Sequence, residues 1–157
     1  MNILKSKTEK VFAFDNYLTS EECDYYNTLI NDLGVGNYSW EKRTIDITKD
    51  KIVNKTINFF KNCLNLKLEI TQAQIQNWNI GSSSDLHIHN WNGRESTKYN
   101  SLIYLNNDFE GGEFFTKNGI SIKPKKGLLT IFNGQKVWHG VKTVKNKDRK
   151  TIIFWWK

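Results

Sequence analysis

From Leu66 to its end the chain alternates short apolar runs with turn residues, and this texture limits its possible folds more than any other feature. Leu66, Leu68 and Ile70 are separated by polar residues, the period of a half-buried strand. Strand-like runs follow over 73–80, 86–89, 99–105, 112–116, 120–123, 128–132, 137–141 and 151–156. Turn chemistry separates them: Asn106-Asn107-Asp108, Lys117-Asn118-Gly119, and a Pro124-Lys125-Lys126-Gly127 corner that holds the one proline.

The first third of the chain reads differently. Val11-Phe12-Ala13-Phe14 is a short strand, and a helix opens after Thr19. Thr19 and Glu22 have the spacing of a capping box, in which each side chain serves the other residue's backbone amide. Tyr26, Leu29, Ile30 and Leu33 form the apolar stripe, and Gly34 and Gly36 end it. A second helix is predicted from about Thr48 to Cys63, with Val53, Ile57, Phe60 and Leu64 on one face. Two helices and about eight strands predict an α+β fold: a double-stranded β-helix, or jelly roll, with two N-terminal helices packed on one sheet. The 157 residues, 38% of them hydrophobic and 13% aromatic, suit a single domain over 1–157.

No apolar run approaches the roughly 20 residues of a membrane span, so no membrane partner is expected. The start of the chain shows no secretory signal. Cys23 and Cys63 both fall in helical patterns and are expected to be reduced, buried thiols of a cytoplasmic protein rather than a disulfide. The formal net charge of +7 has two readings, a solvated lysine-rich surface or attraction to nucleic acid, and no recognition motif supports the second.

The chain has three histidines, His87, His89 and His139. His87 and His89 would share one face of a predicted strand, and His139 lies on another. A roll can join the two strands, and three imidazoles together suit iron, zinc, copper or nickel. Asp85 shares the parity of His87. It has three possible roles: a solvated loop acid, an acceptor that orients a ligand imidazole, or a ligand in place of His89.

The residues 76–156 resemble the iron(II)- and 2-oxoglutarate-dependent oxygenases, in particular their prolyl-4-hydroxylase-like branch. The resemblance is carried by Trp78-x-x-Gly81, His87-Ile88-His89, Ser101-Leu102-Ile103-Tyr104-Leu105-Asn106, Phe109-Glu110-Gly111-Gly112-Glu113 and Pro124-Lys125-Lys126-Gly127, followed by Phe132, His139 and Arg149. The opening segment from Phe14 to Cys23 is similar as well. This likeness implies Fe(II) on His87, His89 and His139, with 2-oxoglutarate and O₂ as the other reactants. It also implies succinate formation coupled to hydroxylation of a small molecule or peptide, for example a prolyl or other protein side chain. Arg149, ten residues after His139, has the family's spacing for the cation that holds the far carboxylate of 2-oxoglutarate. The hydroxyls of Tyr104 and Thr151 are candidates for further bonds to that carboxylate. Trp155 shares the face of Arg149 and Thr151, and Trp78 and Trp91 flank the His-x-His segment. Substrate selection falls to loops such as 90–98 and 34–43.

The chain departs from the family at one place: the usual motif is His-x-Asp, and here the second position is His89. Three neutral imidazoles leave a bound metal's 2+ charge undiminished, which favours an anionic cosubstrate and discriminates less against zinc, nickel and copper. Two other readings remain. One is a cupin-like His₃ metalloenzyme that does not use 2-oxoglutarate, with Gly81, His87, His89 and Glu95 near its first motif. The second cupin motif is absent, and Arg149 has no task there. The other is a non-catalytic basic binding module on the same fold.

Overall fold

The structure is a computed structural model that describes residues 2–5, 10–31, 44–89 and 97–157. In chain order the elements are β1 (Asn2–Lys5), β2 (Lys10–Phe14), α1 (Ser20–Asn31), β3 (Thr44–Asp46), α2 (Lys51–Leu64), β4 (Ile70–Trp78), β5 (Ser84–His87), β6 (Tyr99–Tyr104), β7 (Glu110–Gly111), β8 (Phe114–Thr116), β9 (Ser121–Ile122), β10 (Leu129–Asn133), β11 (His139–Val141), β12 (Val144–Lys145) and β13 (Arg149–Trp156).

The helix boundaries follow from local chemistry. At the start of α1 the Glu22 amide donates to Thr19 Oγ1 at 3.2 Å and the Thr19 amide donates to Glu22 Oε2 at 3.0 Å, the reciprocal pair expected from the sequence. Helix α2 starts three residues later than Thr48, because Asp50 is the cap: its carboxylate accepts from the Ile52 amide at 2.8 Å. The same oxygen accepts from the Tyr26 hydroxyl at 2.8 Å, which ties α1 to α2. Asn65 ends α2 in the left-handed conformation, φ 52°, which asparagine tolerates. The expected stop of α1 at Leu33, Gly34 and Gly36 lies outside the described residues.

Seven strands form one sheet in the order β1-β2-β10-β6-β13-β4-β3, and four form a second in the order β5-β11-β8-β9. A β12-β7 pair completes the set. All pairings are antiparallel. The expected strand over Leu66–Ile70 begins only at Ile70. Strands β1, β3, β7 and β12 lack a readable alternation in the sequence, because the neighbours they pair with, not their own pattern, define them.

Alternation along the large sheet sorts its side chains into two layers. Ala73, Ile75, Ile103, Leu129, Ile131, Ile152, Phe154 and Trp156 join Cys23, Tyr26, Ile52, Val53 and Phe60 of the helices in one apolar cluster. Leu102, Tyr104 and Phe132 face the other way and cluster with Phe114 and Ile122 of the second sheet. Phe60 anchors the helix side: it is fully buried and meets Trp156 edge-on, with ring centroids 6.2 Å apart.

Both cysteines are free thiols. Cys23 is buried as expected, but Cys63 is exposed, because it falls on the solvent face near the end of α2. Burial pushes the Cys23 thiol up to about 11. A maleimide or disulfide reagent at neutral pH is therefore expected to modify Cys63 quickly and Cys23 only after unfolding, which mass spectrometry of the labelled peptides checks. Phe60→Ala is expected to destabilise the protein by about 3–5 kcal/mol, read from denaturant unfolding.

Candidate active site

Strands β5 and β11 pair so that His87 and His139 stand directly opposite each other. His89 comes to the same place by a different route from the one the sequence suggests. Strand β5 ends at His87, and His89 lies just beyond, held by a bond from its amide to the Gly134 carbonyl at 2.8 Å. The three rings meet: one nitrogen from each lies within 4.8 Å of the others, and His87 Nε2 and His89 Nε2 are 3.2 Å apart.

Each imidazole has its Nδ1 committed elsewhere. His87 Nδ1 donates to the Asp85 carbonyl at 2.8 Å, His139 Nδ1 to the Val137 carbonyl at 2.8 Å, and His89 Nδ1 to Asn100 Oδ1 at 2.7 Å. A ring that donates from Nδ1 carries its lone pair on Nε2 when neutral. The pattern thus turns three Nε2 lone pairs toward one another, which is unfavourable unless a cation sits among them. Two nitrogens bound to one metal at about 2.1 Å and a right angle are about 3 Å apart, close to the His87–His89 separation. The donor set therefore fits a divalent metal. Asp85 is exposed and supplies its carbonyl, while its carboxylate is not among the converging groups.

The three histidines line a cavity of about 320 Å³ between the two sheets, together with Arg149, Thr151 and Trp155 on one face of β13. Arg149 is 2% exposed. Its guanidinium lies between two rings, 5.3 Å from the Trp78 centroid and 5.1 Å from that of Tyr104, and its Nε donates to the Gly112 carbonyl at 3.1 Å. Burial lowers its pKa, and the Tyr104 hydroxyl works against that shift. Among the described residues no carboxylate pairs with it. A buried cation is costly where no anion accompanies it, so a cavity lined by this arginine favours a negatively charged group.

Thr151 sits beside Tyr104 in the sheet register and lines the cavity. Tyr104 is fully buried behind Arg149 instead of lining the cavity, and its hydroxyl accepts from the Phe114 amide at 3.4 Å. Trp78 lines the cavity and donates from its indole to Gln76 Oε1 at 3.1 Å. Trp91 and Glu95 lie outside the described residues, as do 90–96 of one expected substrate loop and all of the other, 34–43.

Two parts of the site were missed in the sequence. Asn100 holds His89. Its only signal is a polar residue inside an apolar strand, with the same parity as Leu102 and Tyr104. Gly112 gives Arg149 room: its φ is +65°, and a Cβ there would come 2.9 Å from Arg149 Cδ.

The family model described as the 2OG-Fe(II) oxygenase superfamily matches residues 73–157, more than half of the chain. The chain belongs to this superfamily, whose cofactors are Fe(II), 2-oxoglutarate and O₂. Prolyl 3-hydroxylase 2 of Rattus norvegicus and of Homo sapiens are each 44% identical to it over 64 residues, which is 36% of this chain. That match spans only 9% of the length of these curated relatives. A viral collagen prolyl hydroxylase from Paramecium Bursaria Chlorella virus-1, solved as its 2OG complex, superposes with a TM-score of 0.74 at 18% identity, covering 93% of this chain and 94% of that one. An oxidoreductase of the 2OG-Fe(II) oxygenase family from Burkholderia pseudomallei gives a TM-score of 0.76 at 16% identity, covering 94% of this chain and 85% of that one. These likenesses agree with the jelly-roll fold expected from the sequence. No helix among the described residues is long and apolar enough to cross a membrane.

Burial pushes the His139 imidazole down to about 3, with His89 and His87 adding to the effect and the bond to Val137 opposing it. In the metal-free protein the native state therefore stays neutral while the unfolded chain takes up a proton near its usual pKa of about 6.5. The unfolded state binds more protons in that window, so this contribution to stability is complete above about pH 6.5 and is lost as the pH falls toward 3. The stability difference between the metal-free protein and His139→Gln is expected to shrink between about pH 7 and pH 4, as read from denaturant midpoints.

Proposed function

We propose that this chain is an Fe(II)- and 2-oxoglutarate-dependent dioxygenase that hydroxylates a peptide or protein side chain, carried on one jelly-roll domain whose two helices back the large sheet. The observation that carries this reading is one cavity holding both three convergent imidazoles and a buried arginine that no carboxylate among the described residues pairs with.

In this reading His87, His89 and His139 hold the iron. The bound metal supplies O₂ activation coupled to decarboxylation of 2-oxoglutarate to succinate and CO₂. Arg149 binds the far carboxylate of the cosubstrate, using the planar fork that lysine lacks. Thr151, two residues along the same face, offers its hydroxyl to the same carboxylate. Tyr104 acts through Arg149, because its ring and hydroxyl keep the guanidinium in place. Leu102, Phe114, Phe132 and Ile153 wall the cavity with apolar surface and exclude water from the reacting groups. A prolyl side chain is the first substrate to test, on the strength of the prolyl hydroxylases this chain is similar to. A cupin-like enzyme without 2-oxoglutarate has no use for Arg149, whose burial would then have no return.

The test is succinate formation from 2-oxoglutarate by iron-loaded protein exposed to O₂, with and without proline-rich peptides. His139→Ala is expected to abolish it. Arg149→Ala is expected to cost about 2–5 kcal/mol in 2-oxoglutarate affinity, a loss of roughly 30-fold or more. No succinate from protein that binds the metal, together with salt-sensitive binding to nucleic acid, would favour the non-catalytic module instead.

A further inference from the structure

A carboxylate ligand needs no tautomer, but an imidazole ligand does. The chain therefore has to specify at position 89 something that a His-x-Asp site leaves open. Asn100 is fully buried on β6, a central strand of the large sheet. Its Nδ2 faces the Phe154 carbonyl at 3.4 Å, and a carbonyl can only accept. That contact fixes which end of the amide is NH₂, and so places Oδ1, 2.7 Å away, against His89 Nδ1. Oδ1 can only accept, so His89 must donate from Nδ1 and present the Nε2 lone pair to His87 and His139.

The neighbouring backbone is shaped around this bond. A Cβ at Gly134 would lie 2.0 Å from Asn100 Oδ1 and 3.1 Å from His89 Nδ1. The Gly134 carbonyl also holds the His89 amide at 2.8 Å. Gly134 therefore fixes the backbone of His89 and leaves the space that its side-chain partner fills.

We propose that Asn100, with Gly134 leaving room for it, is the positioning residue that makes His89 a metal ligand in place of the usual carboxylate. Asn100 touches neither the metal nor any substrate, and it acts by setting the tautomer and the plane of the His89 ring. The inference rests on the assignment of His87, His89 and His139 as the metal site.

Two readouts test it: long-range proton–nitrogen NMR of the histidine rings in metal-free protein, and Co(II) affinity from visible absorption. Asn100→Ala is expected to lose the single Nδ1–H tautomer at His89 and to bind Co(II) about 10–100-fold more weakly. Asn100→Asp, which keeps an accepting oxygen, is expected to retain both properties. Gly134→Ala keeps all three histidines and Asn100, and is expected to lose affinity as Asn100→Ala does. In a His89→Asp background, which has no imidazole to orient, Asn100→Ala is expected to change Co(II) affinity less than twofold. The proposal is overturned if Asn100→Ala keeps the Nδ1–H tautomer and wild-type affinity. If Asn100→Ala does not fold, the same result in Gly134→Ala overturns it. A wild-type protein that shows the Nδ1–H tautomer but binds no Co(II) would defeat the metal assignment itself, and the two failures are told apart by the spectrum.

Discussion

Strand β13 does two jobs, and the rest of the molecule is arranged around that division. It lies between β6 and β4 in the large sheet, with six residues paired on one side and eight on the other. Ile152, Phe154 and Trp156 face the helices and belong to the apolar cluster that holds α1 and α2. Arg149, Thr151, Ile153 and Trp155 face the cavity. The period of two in an extended chain makes this division unavoidable, so the residues that stabilise the fold and those that line the cavity are fixed in one register. A slip of one residue would bury the arginine among the helices and turn Phe154 into the cavity.

The buried arginine depends on that rigidity. No carboxylate among the described residues pairs with it, and its charge is offset there by two aromatic faces, the Tyr104 hydroxyl and the Gly112 carbonyl. The same cavity gathers three imidazoles, whose bonds to two carbonyls and one amide set them all in one tautomer. A buried cation and three converging imidazole lone pairs in one cavity suit an anion and a metal ion respectively.

The helices and the site's principal residues were legible in the sequence for identifiable reasons. The capping box at Thr19 and Glu22 is local chemistry, and the alternation around Tyr104 and Thr151 is a pattern with one period. The histidines and Arg149 could be read because they are chemically distinctive and their order along the chain resembles a known family. Helix α2 starts later than about Thr48 because Asp50 caps it, and Thr48 Oγ1 accepts from the Ala73 amide on a distant strand. The exposure of Cys63 was misread because helical spacing alone does not say which face meets the sheet.

By itself the sequence determined the α+β jelly roll, the three imidazoles as a candidate metal set, and the arginine ten residues after the last of them. Those follow from periodicity and from residue types that few other chemistries require. Only the tertiary structure decided that His89 reaches the site from beyond the end of β5, that Asn100 and Gly134 hold it there, and that Tyr104 stands behind Arg149. Each of these depends on contacts between residues far apart in the chain, and a one-dimensional pattern carries no information about which distant side chain fills a given space.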